Sequence, residues 1–544
     1  MTTPHLDPAG HWPLETDHRN HSTHDLIGMA REITYEDIDG RRAAVFHGAK
    51  SSLEIADHPA LRPGTGDFSV SLWLHTKDGA QGGDVVGDLI SKFDGDARKG
   101  FNLVVSTQTG TTVTTQPNYR QIQFGIDEAY VEEAWQDCGT PGQAVKICAL
   151  LAMNGHLFAG TFENGEGRTG HVWQYEGGKS WSDLGAPPAG CNSMGSLTCF
   201  DGDLFAASGR YNPRGSQLGM AQNIRSGGPV YRITSDGTWK DCGHPGLEGA
   251  APDDPDTLTG ESNQADDTNC LTVFRGNLYA TSHHRRGLFR YEGGKNWKPV
   301  GPDLRIMSLT IHEGRLLALI NGGGAYRYED GTDWTWIGDP PLSTQTYCAL
   351  THQGRLLVGT WPECHIVRYE GGTEWKIRGM VGYEREVMAA SLYNGKAYFG
   401  TLPMANIFRM DGDSFTYFGN IDNHPGHHLR RAWSMAVHQG ALFAGSLPQG
   451  KVMRRCAGAV ATHDHALPSG WRHLAAVRTG NEVAVYLDGK KVAGSPVPGT
   501  WNMNTAKPLT IGGAAIGHAF SGALRDVRFY QRALTPEDLQ TLAI

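Results

Sequence analysis

The run His283-His284-Arg285-Arg286 places two imidazoles beside two guanidinium groups. Imidazole moves protons near neutral pH, and a guanidinium fork holds a carboxylate through paired N–H donors. Groups of the same kinds recur at Arg210 and Tyr211, Arg305, Tyr347, His365, Arg385, Arg430 and Arg431, with Lys146, Asn192 and Asn269 at comparable places. The chain is acidic, with a formal net charge of −9. A local excess of cations against that sign points to an anionic ligand. The chemistry available is β-elimination at a uronic acid. A base removes the C5 proton, cations neutralise the carboxylate, and an acid meets the leaving oxygen. His283 and His284 are the candidates for base and acid, with Tyr211 or Tyr347 as the other partner. Arg210, Arg305, Arg385, Arg431, His365, Asn269 and Trp361 are the candidate substrate contacts. Hydrolysis is the competing reaction, and Asp266, Asp267, Glu363 and Glu386 are the carboxylates it could draw on.

These residues sit in a repeat. An aromatic residue is followed, after three others, by glycine at Trp135/Gly139, Trp181/Gly185, Trp239/Gly243, Trp297/Gly301, Trp334/Gly338, Trp375/Gly379 and Phe415/Gly419. Between these stand x-Gly turns flanked by apolar residues: Asn154-Gly155, Asp201-Gly202, Arg275-Gly276, Glu313-Gly314, Gln353-Gly354, Asn394-Gly395 and Gln439-Gly440. They number units one to seven. A period of about 40 residues built from short strands suits the four-stranded blade of a β-propeller. The unit order is inner strand, turn, second strand, loop, third strand, turn, outer strand. Residues 132–139 form an outer strand with nothing before it, and 433–456 supply inner strands with no outer strand after them. Pairing the two fragments closes a ring of seven blades and leaves no free edge.

The loops entering the inner strands and those joining second to third strands share one face. The long and variable loops fall there, so function is expected on that face. Units five, six and seven read Thr360-Trp361-Pro362, Thr401-Leu402-Pro403 and Ser446-Leu447-Pro448, whereas unit three has the His-His-Arg-Arg run and unit two Ser208-Gly209-Arg210-Tyr211. Agreement between units marks structure, and departure marks recruitment. A lectin would repeat its contacts in every blade, so this asymmetry favours a single site. Glycan binding without turnover remains a separate reading.

The flanks carry Phe68-Ser69-Val70-Ser71-Leu72-Trp73, the hairpin Val485-Tyr486-Leu487-Asp488-Gly489, and Gly522-Ala523-Leu524-Arg525-Asp526-Val527-Arg528-Phe529-Tyr530. These segments resemble the laminin-G-like, concanavalin A-like jelly roll family. Neither flank has strands enough to bury two sheet faces alone. The expected organisation is therefore an all-β chain. Residues 1–130 and 461–544 form one jelly roll, and residues 131–460 form a seven-bladed propeller inserted in it. In outline the propeller is similar to propeller-type polysaccharide lyases, which is an analogy of fold.

Acidic charge argues against nucleic-acid binding. No run of about 18 apolar residues offers a membrane span, and no export signal is visible at the start. Nine cysteines without CxxC spacing read as buried thiols. No cofactor is required by any motif: Walker loops and GxSxG elbows are missing from the sequence. Calcium is an option at Asp253, Asp254 and Asp256, and a metal at His424, His427 and His428. The expected partner is an acidic polysaccharide or oligosaccharide.

Overall fold

The structure is a computed structural model that describes residues 7–78, 86–107, 114–130, 134–188, 190–209, 211, 216–219, 228–246, 268–282 (backbone only at Ser282) and 287–544. The chain is all-β, with one short helix, Pro536–Leu542, capped by Thr535 in a capping box with Asp538.

Two sheets form a sandwich. One runs Ile33–Ile38, Arg41–His47, Ser521–Tyr530, Phe68–Thr76, Gly470–Thr479, Glu482–Leu487, Lys490–Pro496, with Gly10–Trp12 on Ser521–Tyr530. The other runs Gly28–Arg31, Ser52–Ile55, Leu509–Ile511, Gly87–Asp94, Lys99–Ser106, Gln121–Glu128, Ala459–Ala466. Both draw strands from the two ends of the chain. Phe68–Thr76 takes its hydrogen bonds from Gly470–Thr479 on one side and Ser521–Tyr530 on the other. The alternating apolar positions of these strands meet in one core, where Phe68 lies 4.9 Å from Phe101 and Phe101 stacks 5.9 Å from Phe529.

The repeat units form a propeller-like arrangement. Among the described residues five sheets stand alone with four strands each. Units one and two share a single eight-stranded sheet, joined where Phe162 pairs with Ser193. This differs from the expectation of seven separate blades, and the bridge between Phe162 and Ser193 is the cause. Inner strands touch in succession, Ala144–Met153 to Ser193–Phe200 to Thr268–Phe274 to Ile306–His312 to Ser343–His352 to Glu386–Tyr393 to Arg431–His438, and the last returns to the first. Gln136–Asp137 pairs with Val452–Arg455, so strands from both ends of the repeat region complete one sheet.

The two sequence motifs have mechanical roles. In the x-Gly turns both residues take positive φ, as at Asn154 (51°) and Gly155 (80°), which is what a two-residue hairpin of matching twist demands. The aromatic-x3-Gly motif links neighbouring units. Each indole Nε1 donates to the carbonyl just before the previous unit's glycine: Trp181 to Cys138 (2.8 Å), Trp239 to Leu184 (2.9 Å), Trp297 to Cys242 (2.8 Å), Trp334 to Val300 (2.9 Å) and Trp375 to Ile337 (2.8 Å). Trp135 donates in the same way to Phe418 at 3.1 Å. Gly139 itself has φ 86°, and a Cβ there would lie 2.7 Å from the Lys179 carbonyl.

The sandwich packs against the turn end of the ring. Turn amides of units one and five donate to it, Gly155 to Asp464 O (3.0 Å), Gln353 to Ile516 O (2.8 Å) and Gly354 to Gly517 O (2.8 Å), and Asn394 of unit six donates to Ile126 O (3.1 Å). The segment Thr114–Gln121 lies across the lower ends of three inner strands, those of units three, seven and one. Thr115 bonds Leu271 O, Gln116 exchanges two bonds with Val273, Asn118 does the same with Val437, and Gln121 donates to Ala152 O. All four of these side chains are buried, so their polar groups are satisfied by the strands they cross.

Every cysteine is a free thiol; eight are buried, and Cys456 is exposed, which corrects the expectation of uniform burial. Among the described residues no helix is long and apolar enough to cross a membrane.

Candidate functional site

Each inner strand carries a register shift near its upper end, at Ala144/Lys146 and Ile147/Ala149, Met194/Ser196, Thr268/Cys270, Ile306/Ser308, Thr346/Cys348, Val387/Ala389 and Ala432/Ser434. A bulge reverses the side-chain alternation that the rest of the strand sets up. It turns polar residues at the strand starts into the upper mouth while the apolar residues below stay between sheets.

Tyr211 is the centre of the resulting cluster. Its backbone is fixed by Asn192, whose Oδ1 accepts from Tyr211 N (2.8 Å) and whose Nδ2 donates to Tyr211 O (3.0 Å). Asn192 is fully buried, so it acts as a positioning residue. The Tyr211 hydroxyl is 2.7 Å from Ser216 Oγ, and Arg431 Nη1 reaches both oxygens, at 3.5 Å from that of Tyr211. The Tyr211 ring packs edge-on against Phe162 (4.8 Å) and Trp433 (6.2 Å). Lys146, 4% exposed, puts Nζ 3.6 Å from the Tyr211 ring centroid and 3.8 Å from that of Trp433. Arg431 stands 5.5 Å from the same Trp433 ring.

Tyr347, Trp361 and Tyr211 all pack on the apolar group of Met388, Leu402 and Trp433. Tyr347 donates to Gln345 Oε1 at 2.5 Å. Burial first, and then the Glu386 charge, push the Tyr347 hydroxyl above its ordinary pKa, while Arg431 and Arg305 pull it back. Arg305 and Arg431 therefore face Tyr347 electrostatically, from units four and seven. Glu386, 3% exposed, is pushed up to about 7 by burial, with Arg431 opposing. Its Oε1 has no hydrogen-bond partner among the described residues. At neutral pH such a carboxyl is poised between proton donor and acceptor.

The remaining expected contacts lie apart from this cluster. Arg385 is exposed, and its backbone ties the strand to Cys364 and Leu402. Asn269 is buried and donates to Met307 O at 3.4 Å, a contact between units three and four. His365 is buried with Nδ1 3.8 Å from Glu363, and its backbone N donates to Thr360 Oγ1 (3.1 Å). Hydroxyls at matching places make the same loop closure, as Thr161 does with His171 and Thr401 with Asn406. Agreement between units is structural there. Arg430 turns to Met404. Arg210, His283, His284, Asp253, Asp254, Asp256, Asp266 and Asp267 lie outside the described residues. His424 and His427 face each other at 6.4 Å, but no three metal-binding side chains gather among the described residues.

Trp433 and Ser216 were not among the expected contacts. The signal for Trp433 is a large or charged residue at the start of an otherwise apolar strand, as in Arg431–His438, Ala144–Met153 and Glu386–Tyr393, whereas Ser216 lies between strands and carries no such signal.

Residues 433–540 match the family model of the concanavalin A-like lectin/glucanases superfamily. The match begins in the last sheet of the ring and runs on through the C-terminal sandwich strands. No curated protein matches the chain. Solved structures similar to it include a streptogramin B lyase, at 10% identity and TM-score 0.46, covering 60% of this chain and 99% of that one. YCF48 from Cyanidioschyzon merolae is similar at 11% identity and TM-score 0.41, with 60% and 99% covered. A putative 6-phosphogluconolactonase from Bacteroides fragilis is similar at 12% identity and TM-score 0.37, with 60% and 96% covered. The chain thus carries a concanavalin A-like region beside a propeller-like arrangement of sheets.

Proposed function

We propose that the protein is a carbohydrate-active enzyme, a lyase that cleaves a uronate-containing polysaccharide or oligosaccharide by β-elimination at the upper mouth of the ring. In this reading the ring has seven blades, the eight-stranded sheet counting as two. The observation that carries the proposal is the Tyr211 hydroxyl held between Ser216 and Arg431, with the Lys146 ammonium over its ring. A phenol next to a guanidinium is equipped for proton transfer, because the cation stabilises the oxygen charge that transfer creates.

The reaction balances as follows. Tyr211, or one of His283 and His284, takes the C5 proton. The C5–H electron pair becomes the C4–C5 double bond, and the C4–O bond breaks. The departing oxygen takes a proton from a group kept protonated, a role open to Tyr347 or Glu386. The cations hold the substrate carboxylate and spread the charge that forms next to it.

The test is incubation with a panel of acidic glycans, followed in the ultraviolet band of an unsaturated uronate. New absorbance supports elimination. New reducing ends without absorbance would replace it by hydrolysis, a second reading favoured by the buried, unpartnered Glu386 oxygen. Retention of a glycan without turnover would leave a lectin.

A further inference from the structure

Lys146 is a buried cation with no acidic counter-charge among the described residues. It is 4% exposed, in the strand Ala144–Met153, and its ammonium sits between the rings of Tyr211 and Trp433. Among the described residues no carboxylate contacts it. Glu163, in the strand partner of its own sheet, lies near His171 and Arg168. Glu386 answers to Arg431. Two aromatic faces attract an ammonium but do not neutralise it, and a buried charge without a counter-ion is costly.

A second observation points the same way. The Trp433 indole Nε1 is buried and has no acceptor among the described residues. Lys146 and Trp433 thus present donors at one spot, with Arg431 5.5 Å from the same indole ring. Donors outnumber acceptors there, so the ligand must bring acceptor oxygens and negative charge.

We infer that Lys146 is the anchoring cation for a sugar carboxylate, which lies at the Trp433 edge between Lys146 and Arg431. This rests on the reading of an acidic glycan as substrate and adds the group that selects it. A neutral sugar would leave the ammonium uncompensated. Discrimination is then between a uronate and its uncharged counterpart.

The experiment measures binding by calorimetry, without requiring turnover. Free galacturonate is compared with its methyl ester, with glucose and with inorganic phosphate on the intact protein. Galacturonate should bind at least about tenfold more tightly than each of the others. Lys146→Met should remove that preference, with a melting temperature unchanged or raised, because an uncompensated buried charge has been deleted. Equal binding of ester and acid overturns the inference in the wild-type protein, whatever the variant does. So does phosphate binding as tightly as galacturonate, failure of galacturonate to bind, or full uronate preference in Lys146→Met. Uronate binding with no elimination product keeps the Lys146 assignment and removes the reaction. Elimination with an unchanged KM in Lys146→Met does the reverse.

Discussion

The indole of Trp181 donates to the carbonyl of Cys138 across 2.8 Å, and 43 residues of chain separate them. Cys138 follows the short outer strand that completes the last sheet, so this bond joins the final unit of the ring to the first. Trp181→Phe keeps the ring packing and deletes the donor. It should lower stability by about 1–3 kcal/mol, the cost of a carbonyl left without its partner, as read from the midpoint of urea unfolding. An unchanged midpoint would show that water replaces the indole.

Asp127 and Lys396 form an ion pair between the sandwich and unit six, each side chain 1% exposed. The Lys396 ammonium also donates to Ala457 O at 3.3 Å. Asp127→Asn keeps the shape and strips the counter-charge. The expected loss is about 3–5 kcal/mol, because one partner of a buried ion pair has been removed. Differential scanning calorimetry measures it, and a second variant, Lys396→Met with Asp127→Asn, should recover most of the loss.

His473 sets an acid limit on the sandwich. It is 1% exposed, 2.9 Å from Ser71 Oγ, and burial pushes its pKa down to about 4. Asp526 and Asp488 pull it up, and Arg528 pulls it down. An unfolded histidine titrates near 6.5, so between about 6.5 and 4 the unfolded chain binds the proton more strongly. Stability is complete above that window and falls as pH drops through it, by about 2 kcal/mol at pH 5. His473→Gln should show a smaller acid loss than the wild type between pH 7 and pH 5 in thermal melts.

Tyr211→Phe removes the hydroxyl that Ser216 and Arg431 share and leaves the ring under Lys146 in place. Its effect on elimination should be a fall in kcat of about 10²–10⁴ with KM nearly constant, the size of an acid–base contribution. Steady-state rates on the glycan identified by the panel measure it. A variant at full rate would move proton transfer to other residues.

The ring was legible in the sequence because its punctuation is a physical necessity. Positive φ at both turn residues calls for Asn-Gly or x-Gly, and the indole link fixes an aromatic residue and a glycine at constant spacing. The loose fragments 132–139 and 433–456 announced their own pairing for a related reason, since an unpaired edge is unfavourable. The bridge from Phe162 to Ser193 had no such signature, as it is one contact in a strand whose composition does not change. The site was legible by region. Entry positions of the inner strands named Lys146, Asn192, Tyr347 and Arg431, which do converge, and Arg305 faces Tyr347 with them. Whether Arg385 or Glu386 turns inward was beyond simple alternation. The shift between Val387 and Ala389 resets which face is which, and it is Glu386 that is buried.

The strip Thr114–Gln121 ties three inner strands, those of units one, three and seven, to one short stretch of chain. Gln121 is also the first residue of the sandwich strand Gln121–Glu128. A change in the spacing of those three strands would therefore have to move the strip, and with it the edge of the sandwich that continues from it.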